Sequence, residues 1–183
     1  GSSHNLEADA KFMQSMLHMT GEDGCIYVPK ERALHPKYPP ELQEPFADTR
    51  GEGRNILAMA MWYQHDKNPL WKTLAEKKVR RLVELATWEG DRAYFKRNIF
   101  TAQDKGPLSP ASPGLNGTFS PGGKGAFESP RSAHEVNLML TPSLCIYYRL
   151  TGYAPALDLA GGIVRGVLKH SRAFSDDGRW LTF

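Results

Sequence analysis

The chain has 183 residues, 40% of them apolar, and its 23 basic and 20 acidic side chains leave a net charge of +3. That composition supports one buried core and argues against disorder, while charges mixed this evenly exclude an electrostatic footprint for nucleic acid. No apolar run approaches the ~20 residues of a membrane span, no basic-then-apolar leader opens the chain, and Cys25 and Cys145 are too few for a disulfide framework.

The first predicted helix covers 5–19, where Leu6, Ala10, Met13, Met16 and Leu17 follow helical spacing before the turn residues of "TGEDG". "CIYV" then reads as a short extended piece, and five prolines within 29–48 mark an irregular connection. A second helix is expected over 51–65, with Ile56, Leu57, Ala60, Met61 and Tyr63 inward. The third is the most regular: Leu70, Trp71, Leu74, Ala75, Val79, Leu82 and Val83 form one stripe, and Lys72, Glu76, Lys77, Arg80 and Arg81 cover the other face. Residues 101–132 hold six Gly, five Pro and five Ser, a composition and length typical of a functional or mobile loop. A fourth helix, apolar nearly all round, is predicted over 133–150 with a kink at Pro142. A fifth covers 155–170 with Leu159, Ala160, Ile163, Val164, Val167 and Leu168 on one face.

The second and third helices match the fourth and fifth at a shift of 85 residues. Trp62 falls on Tyr147, Tyr63 on Tyr148, Leu74 on Leu159, Ala75 on Ala160, Val79 on Val164 and Arg80 on Arg165. A fixed-period match marks a helical array. Turns within each hairpin are short and connections between hairpins are long, so the long connections must gather at one end of the array, where a site would be built. The expected class is all-α, antiparallel hairpins in a single domain over 1–183.

The segments "GEGRNILAMAMWYQHDKNPLWKTLAEKKV" and "LCIYYRLTGYAPALDLAGGIV" resemble the six-hairpin (α/α) toroid glycosidases, in which a phrase like "WYRLTGDPRYLELA" recurs from hairpin to hairpin. The resemblance covers nearly the whole chain, and its motifs are packing motifs. It implies an incomplete toroid segment, a carbohydrate ligand, a cleft at the amino-terminal ends of the inner helices with acidic catalytic residues in it, and a secreted or periplasmic setting. Only about two and a half hairpins are present where six close a ring. The open ends are therefore expected to meet another copy of the chain or the remaining hairpins.

Asp48, Glu52, His134 and Glu135 are the candidate catalytic residues, since they fall at the starts of the two inner helices and glycoside hydrolysis uses a pair of carboxylates. Each glutamate also fits a capping box, Thr49-x-x-Glu52 and Ser132-x-x-Glu135, which explains its position without a substrate. Arg50, Arg54 and Arg131 are candidate donors to an acidic glycan, and Trp88 and Trp180 candidate stacking platforms. No HExxH or paired-Cys spacing points to a metal, no phosphate-binding loop or GxSxG elbow is present, and no cofactor is expected. The class of function is thus a glycoside hydrolase-like enzyme, with a non-catalytic helical scaffold or glycan-binding module as the alternative. A toroid isoprenoid cyclase is disfavoured by the lack of a DxDD run.

Overall fold

The 85-residue repeat is realised almost residue for residue in the computed structural model, which describes residues 3–29, 44–109 and 138–170, with 175, 177 and 179. The first hairpin joins α2 (Thr49–Asp66) to α3 (Pro69–Leu85), and the second joins α4 (Thr141–Thr151) to α5 (Ala154–His170). The inner helices end at Asp66 and Thr151 and the outer helices begin at Pro69 and Ala154, each pair 85 positions apart. Both inner helices stop at a left-handed residue, Lys67 (φ 57°) and Gly152 (φ 70°), whose N–H returns to Tyr63 O and Tyr148 O respectively. That is the ordinary way to release a helix into a tight turn. Even the turn chemistry repeats: Asp66 Oδ1 accepts from Asn68 N at 2.8 Å, and Thr151 Oγ1 accepts from Tyr153 N at 3.3 Å.

The two hairpins lie side by side with their inner helices parallel. Gly53, in the first turns of α2, meets Leu140, the residue before α4, so closely that a Cβ at position 53 would stand 3.1 Å from Leu140 Cδ1. Farther along, Tyr147 Oη donates to Lys72 O at 3.2 Å and ties the second hairpin to the outer helix of the first. Between the layers Ile56, Ala75, Val79, Leu82, Leu144, Tyr147, Leu159 and Ile163 are fully buried, each large side chain contributing on the order of 1.5–3 kcal/mol of burial free energy. Ahead of the array stands α1 (Ser3–His18), which buries Met13 and Met16 and leaves most of its surface in solvent.

The fold is mixed α/β, and this corrects the all-α expectation. Among the described residues, two small antiparallel sheets accompany five helices. One pairs β1 (Phe46–Asp48) with β4 (Ile99–Thr101), and the other pairs β2 (Thr87–Glu89) with β3 (Arg92–Tyr94). The second is a hairpin around Gly90–Asp91. Gly90 takes φ 63° while Asp91 does not enter the positive-φ region, the demand of a type II′ turn, which suits the twist of short strands. Strands of three residues are too brief to show a period of two, which is why the stretch reads as loop from the sequence alone.

Pro142 also departs from expectation. It sits in the first turn of α4, where its missing N–H costs nothing, and a single 3₁₀ turn, Leu138–Leu140, precedes it, so it opens the helix instead of kinking it. Residues 133–137, expected to begin that helix, lie outside the described residues, as does 110–132 of the long glycine- and proline-rich segment. Within the described residues the long connections do gather at one end: β1 leads into the start of α2, and β2 follows the end of the antiparallel α3.

Candidate functional site

At the start of α2 the chain leaves β1 in extended conformation at Asp48 (φ −128°, ψ 142°), and the Asp48 carboxylate accepts from Gly51 N at 2.8 Å. Asp48 is therefore the N-cap. The cap lies one residue earlier than the Thr49-x-x-Glu52 motif suggests, and Thr49 N instead donates to Asn98 O at 2.9 Å beside the β1–β4 ladder. Displaced by one position from the capping register, Glu52 turns inward.

Glu52 is 1% exposed. Its Oε1 accepts from Ile26 N at 2.9 Å, and its Oε2 is ion-paired with Lys78 Nζ, a side chain that is itself 0% exposed. Burial raises the Glu52 carboxyl above its ordinary 4.5, and the Lys78 charge opposes that rise. The pair fastens the 20–28 segment to the first hairpin: Gly24 packs against Leu74 O and Lys77, and Asp23 Oδ2 stands 3.1 Å from Arg81 Nε. Arg81 continues the network to Glu84 at 3.0 Å and donates to Asp104 O at 2.6 Å. Tyr27 Oη donates to Asp23 at 2.6 Å; burial first, and then that hydrogen bond, push its phenol up. Cys25 lies between these charges with its thiol pushed well above the usual range by burial and then by Glu52, which makes it a poor nucleophile.

Arg50 and Arg54, one turn apart on α2, are both exposed, and neither forms an ion pair with an acid among the described residues. Their guanidinium groups are thus presented to solvent at the end where the long connections gather. Trp88 is placed differently. Its Nε1 donates to Val83 O at 3.2 Å and its ring lies over Gly162 of α5, so it belongs to the packing of β2 on the outer helices and is not brought to Asp48. His134, Glu135, Arg131 and Trp180 lie outside the described residues.

A cavity of about 480 Å³ opens beside the same end, within the size range of small-molecule clefts. His18, Thr20, Tyr27, Glu44, Pro45 and Gln103 contribute to its wall. None of these is among the candidate catalytic or binding residues read from the sequence. They meet because Val28 bridges to Phe46 and β1 pairs with β4, both long-range contacts between three-residue or shorter pieces. A second concavity of about 420 Å³ lies between Asp91, Arg92, Arg165 and Lys169.

Among the described residues no cluster of three His, Cys, Asp or Glu side chains is arranged to hold a metal ion, and no helix is long and apolar enough to cross a membrane. No family model, characterised protein or solved structure matches this chain.

Proposed function

We propose that the chain is the carbohydrate-binding part of a glycosidase-like helical array, and that its ligand lies at the amino-terminal ends of α2 and α4. The observation that supports this reading is convergence at one end of the molecule. The inner helices begin side by side at Gly53 and Leu140, Arg50 and Arg54 project from the first turns of α2, and the 480 Å³ cavity opens beside the strand that leads into it. Helix amino termini and guanidinium groups both favour anionic ligands, so an acidic, uronate-containing oligosaccharide is the ligand class. Hydrolysis of such a ligand needs two carboxylates flanking the scissile bond. Glu52 is sealed in an ion pair, so this reading gives catalysis to Asp48 with His134 and Glu135, and assigns Glu52 to structure. The array in turn is completed by association beyond its two hairpins.

Calorimetric titration with uronate and neutral oligosaccharides tests the binding. Arg50→Ala with Arg54→Ala should weaken uronate binding about tenfold or more, since each charge-assisted hydrogen bond is worth roughly 1.5–3 kcal/mol. Reducing-sugar release by the wild type and by Asp48→Asn tests hydrolysis. Failure of both glycan classes to bind would remove the carbohydrate reading and leave a helical scaffold.

A further inference from the structure

The concavity of about 420 Å³ between the β2–β3 hairpin and α5 is walled by three cations, Arg92, Arg165 and Lys169, with Asp91 and Leu168 beside them. Cations gathered on one concave wall raise the local potential and attract anions. Arg165 is held in place. Its Nε stands 2.8 Å from Asp91 Oδ2 and donates to Asp91 O at 3.0 Å, so Asp91 takes the inner edge of the guanidinium. The group lies over Gly161, where a Cβ would stand 3.1 Å from Arg165 Nη1 and 3.5 Å from Nη2. Among the described residues the two terminal nitrogens have no acceptor, and neither Arg92 nor Lys169 forms an ion pair. Asp91 therefore orients one guanidinium, and the charges of Arg92 and Lys169 stay uncompensated.

The internal repeat shows that this charge is not a requirement of the helix. The counterpart of Arg165 in α3 is Arg80, which has Glu76 four residues before it and Glu84 four after it. Both acids are engaged there: Glu76 faces Lys72 at 3.6 Å, while Glu84 pairs with Arg81 at 3.0 Å and accepts from Gly106 N at 3.3 Å. Around Arg165 the same two positions hold Gly161 and Lys169. An arginine between two acids has become an arginine four residues from a lysine, and like charges at that spacing weaken a helix by themselves. Lys169 does offset the partial negative charge at the carboxyl end of α5. Yet α3 ends with Glu84 and no basic residue in its last turn, so a helix end in this array does not demand a cation. Arg92 stands on β3, where no helix end accounts for it.

We propose that this concavity binds a tetrahedral oxyanion of the phosphate or sulfate type. A planar guanidinium with its terminal N–H groups open matches two oxygens of such a group at once, and arginine is the donor of choice for that geometry. The second guanidinium and the ammonium supply charge to the same space. A volume of about 420 Å³ exceeds a bare ion and leaves room, beside Leu168, for a small molecule that carries the group as an ester. The residues are distinct from those at the amino-terminal ends of α2 and α4, and the proposal does not depend on the carbohydrate reading.

Calorimetric titration of the full chain at constant ionic strength, with inorganic phosphate, inorganic sulfate, phenyl phosphate and phenyl sulfate, is the test. Saturable binding of at least one of these, and none of benzyl alcohol, is the expected result. Esters that bind more tightly than the inorganic ions identify an ester as the source of the group, and equal affinities identify the free ion. Arg92→Ala should weaken binding about tenfold, the effect of losing one charge-assisted contact. Arg165→Lys keeps the charge but loses the fork and should weaken it in the same direction. Gly161→Glu with Lys169→Glu gives α5 the acids that α3 carries at exposed helix positions and should abolish binding, with an unchanged far-ultraviolet spectrum. Arg149→Ala, at the short-turn end of α4, removes the same net charge as Arg92→Ala and should leave affinity unchanged. The proposal is overturned if no oxyanion binds saturably, if binding withstands the Arg92 and Arg165 substitutions, or if Arg149→Ala weakens it as much as Arg92→Ala.

Discussion

Replacing Lys78 by isoleucine, the residue that stands at the corresponding position 163 of the second hairpin, isolates the energetics of the buried pair. Isoleucine is the buried residue at the counterpart position of the second hairpin and brings no charge to the site. The loss on Lys78→Ile therefore comes from leaving the Glu52 carboxylate unpaired, and breaking a buried pair in this way costs about 3–5 kcal/mol. The pH dependence carries a sign. In the folded protein the Glu52 carboxyl already lies above its ordinary 4.5 because of burial, with Lys78 opposing the rise. Without Lys78 it rises further, so the folded chain keeps a proton that the unfolded chain releases as pH climbs past about 4.5, and stability falls through that window. The penalty should be largest near pH 7 and shrink as pH is lowered toward 4.5. Glu52→Gln with Lys78→Ile retains a carbonyl oxygen for Ile26 N and should recover to within about 1–2 kcal/mol of wild type with no such pH dependence. Urea unfolding followed by the fluorescence of Trp62 and Trp71 measures all three. A Lys78→Ile loss below about 1 kcal/mol at pH 7, or one that grows on acidification, would refute the argument.

Asp48→Ala removes the N-cap of α2 and should cost about 1 kcal/mol in the same unfolding assay; a loss near zero would mean that the β1–β4 ladder holds the helix start unaided. Gly166→Ala places a methyl group against the Ala93 carbonyl oxygen, where backbone and not a flexible side chain must yield, and should destabilise by about 1–3 kcal/mol even though alanine is the better helix former. A stabilised Gly166→Ala variant would show that β3 does not bear on α5 as described.

The helical hairpins were legible because each signal reports a local cause. Asn68 and Pro69 at the start of α3, Gly152 at the end of α4 and the apolar period of α3 all act within one or two turns, and the two copies agree. The sheets were not legible, since β1 and β4 are three residues each and are separated by about fifty positions; their pairing is a tertiary event with no local period. For the candidate site the same division holds. Asp48, Arg50 and Arg54 stand out as candidates because they lie beside a helix start that could be read. The inward turn of Glu52 depends on a one-residue difference in where the cap falls and on Lys78, which the sequence places in a run of surface charges, "KKVRR". All four charges in that run could be solvated and the pattern would look the same.

Lys78 and Leu157 together show where the two copies of the hairpin have diverged. On α3 the flank away from the second hairpin acquired a buried lysine, whose partner Glu52 also holds the backbone of Ile26, so the charge there serves attachment of the 20–28 segment. On α5 the counterpart of Lys78 is Ile163, buried beneath no such segment, and the charges of Lys72 and Glu76 have given way to Leu157 and Gly161. Since the two outer helices have the same length and match at the buried Ala75 and Ala160, neither change can be assigned to the needs of the helix. The charge at Lys78 follows from its neighbour, a segment with backbone groups to satisfy on that flank. Divergence between internal copies thus identifies the contacts that a single hairpin would not reveal.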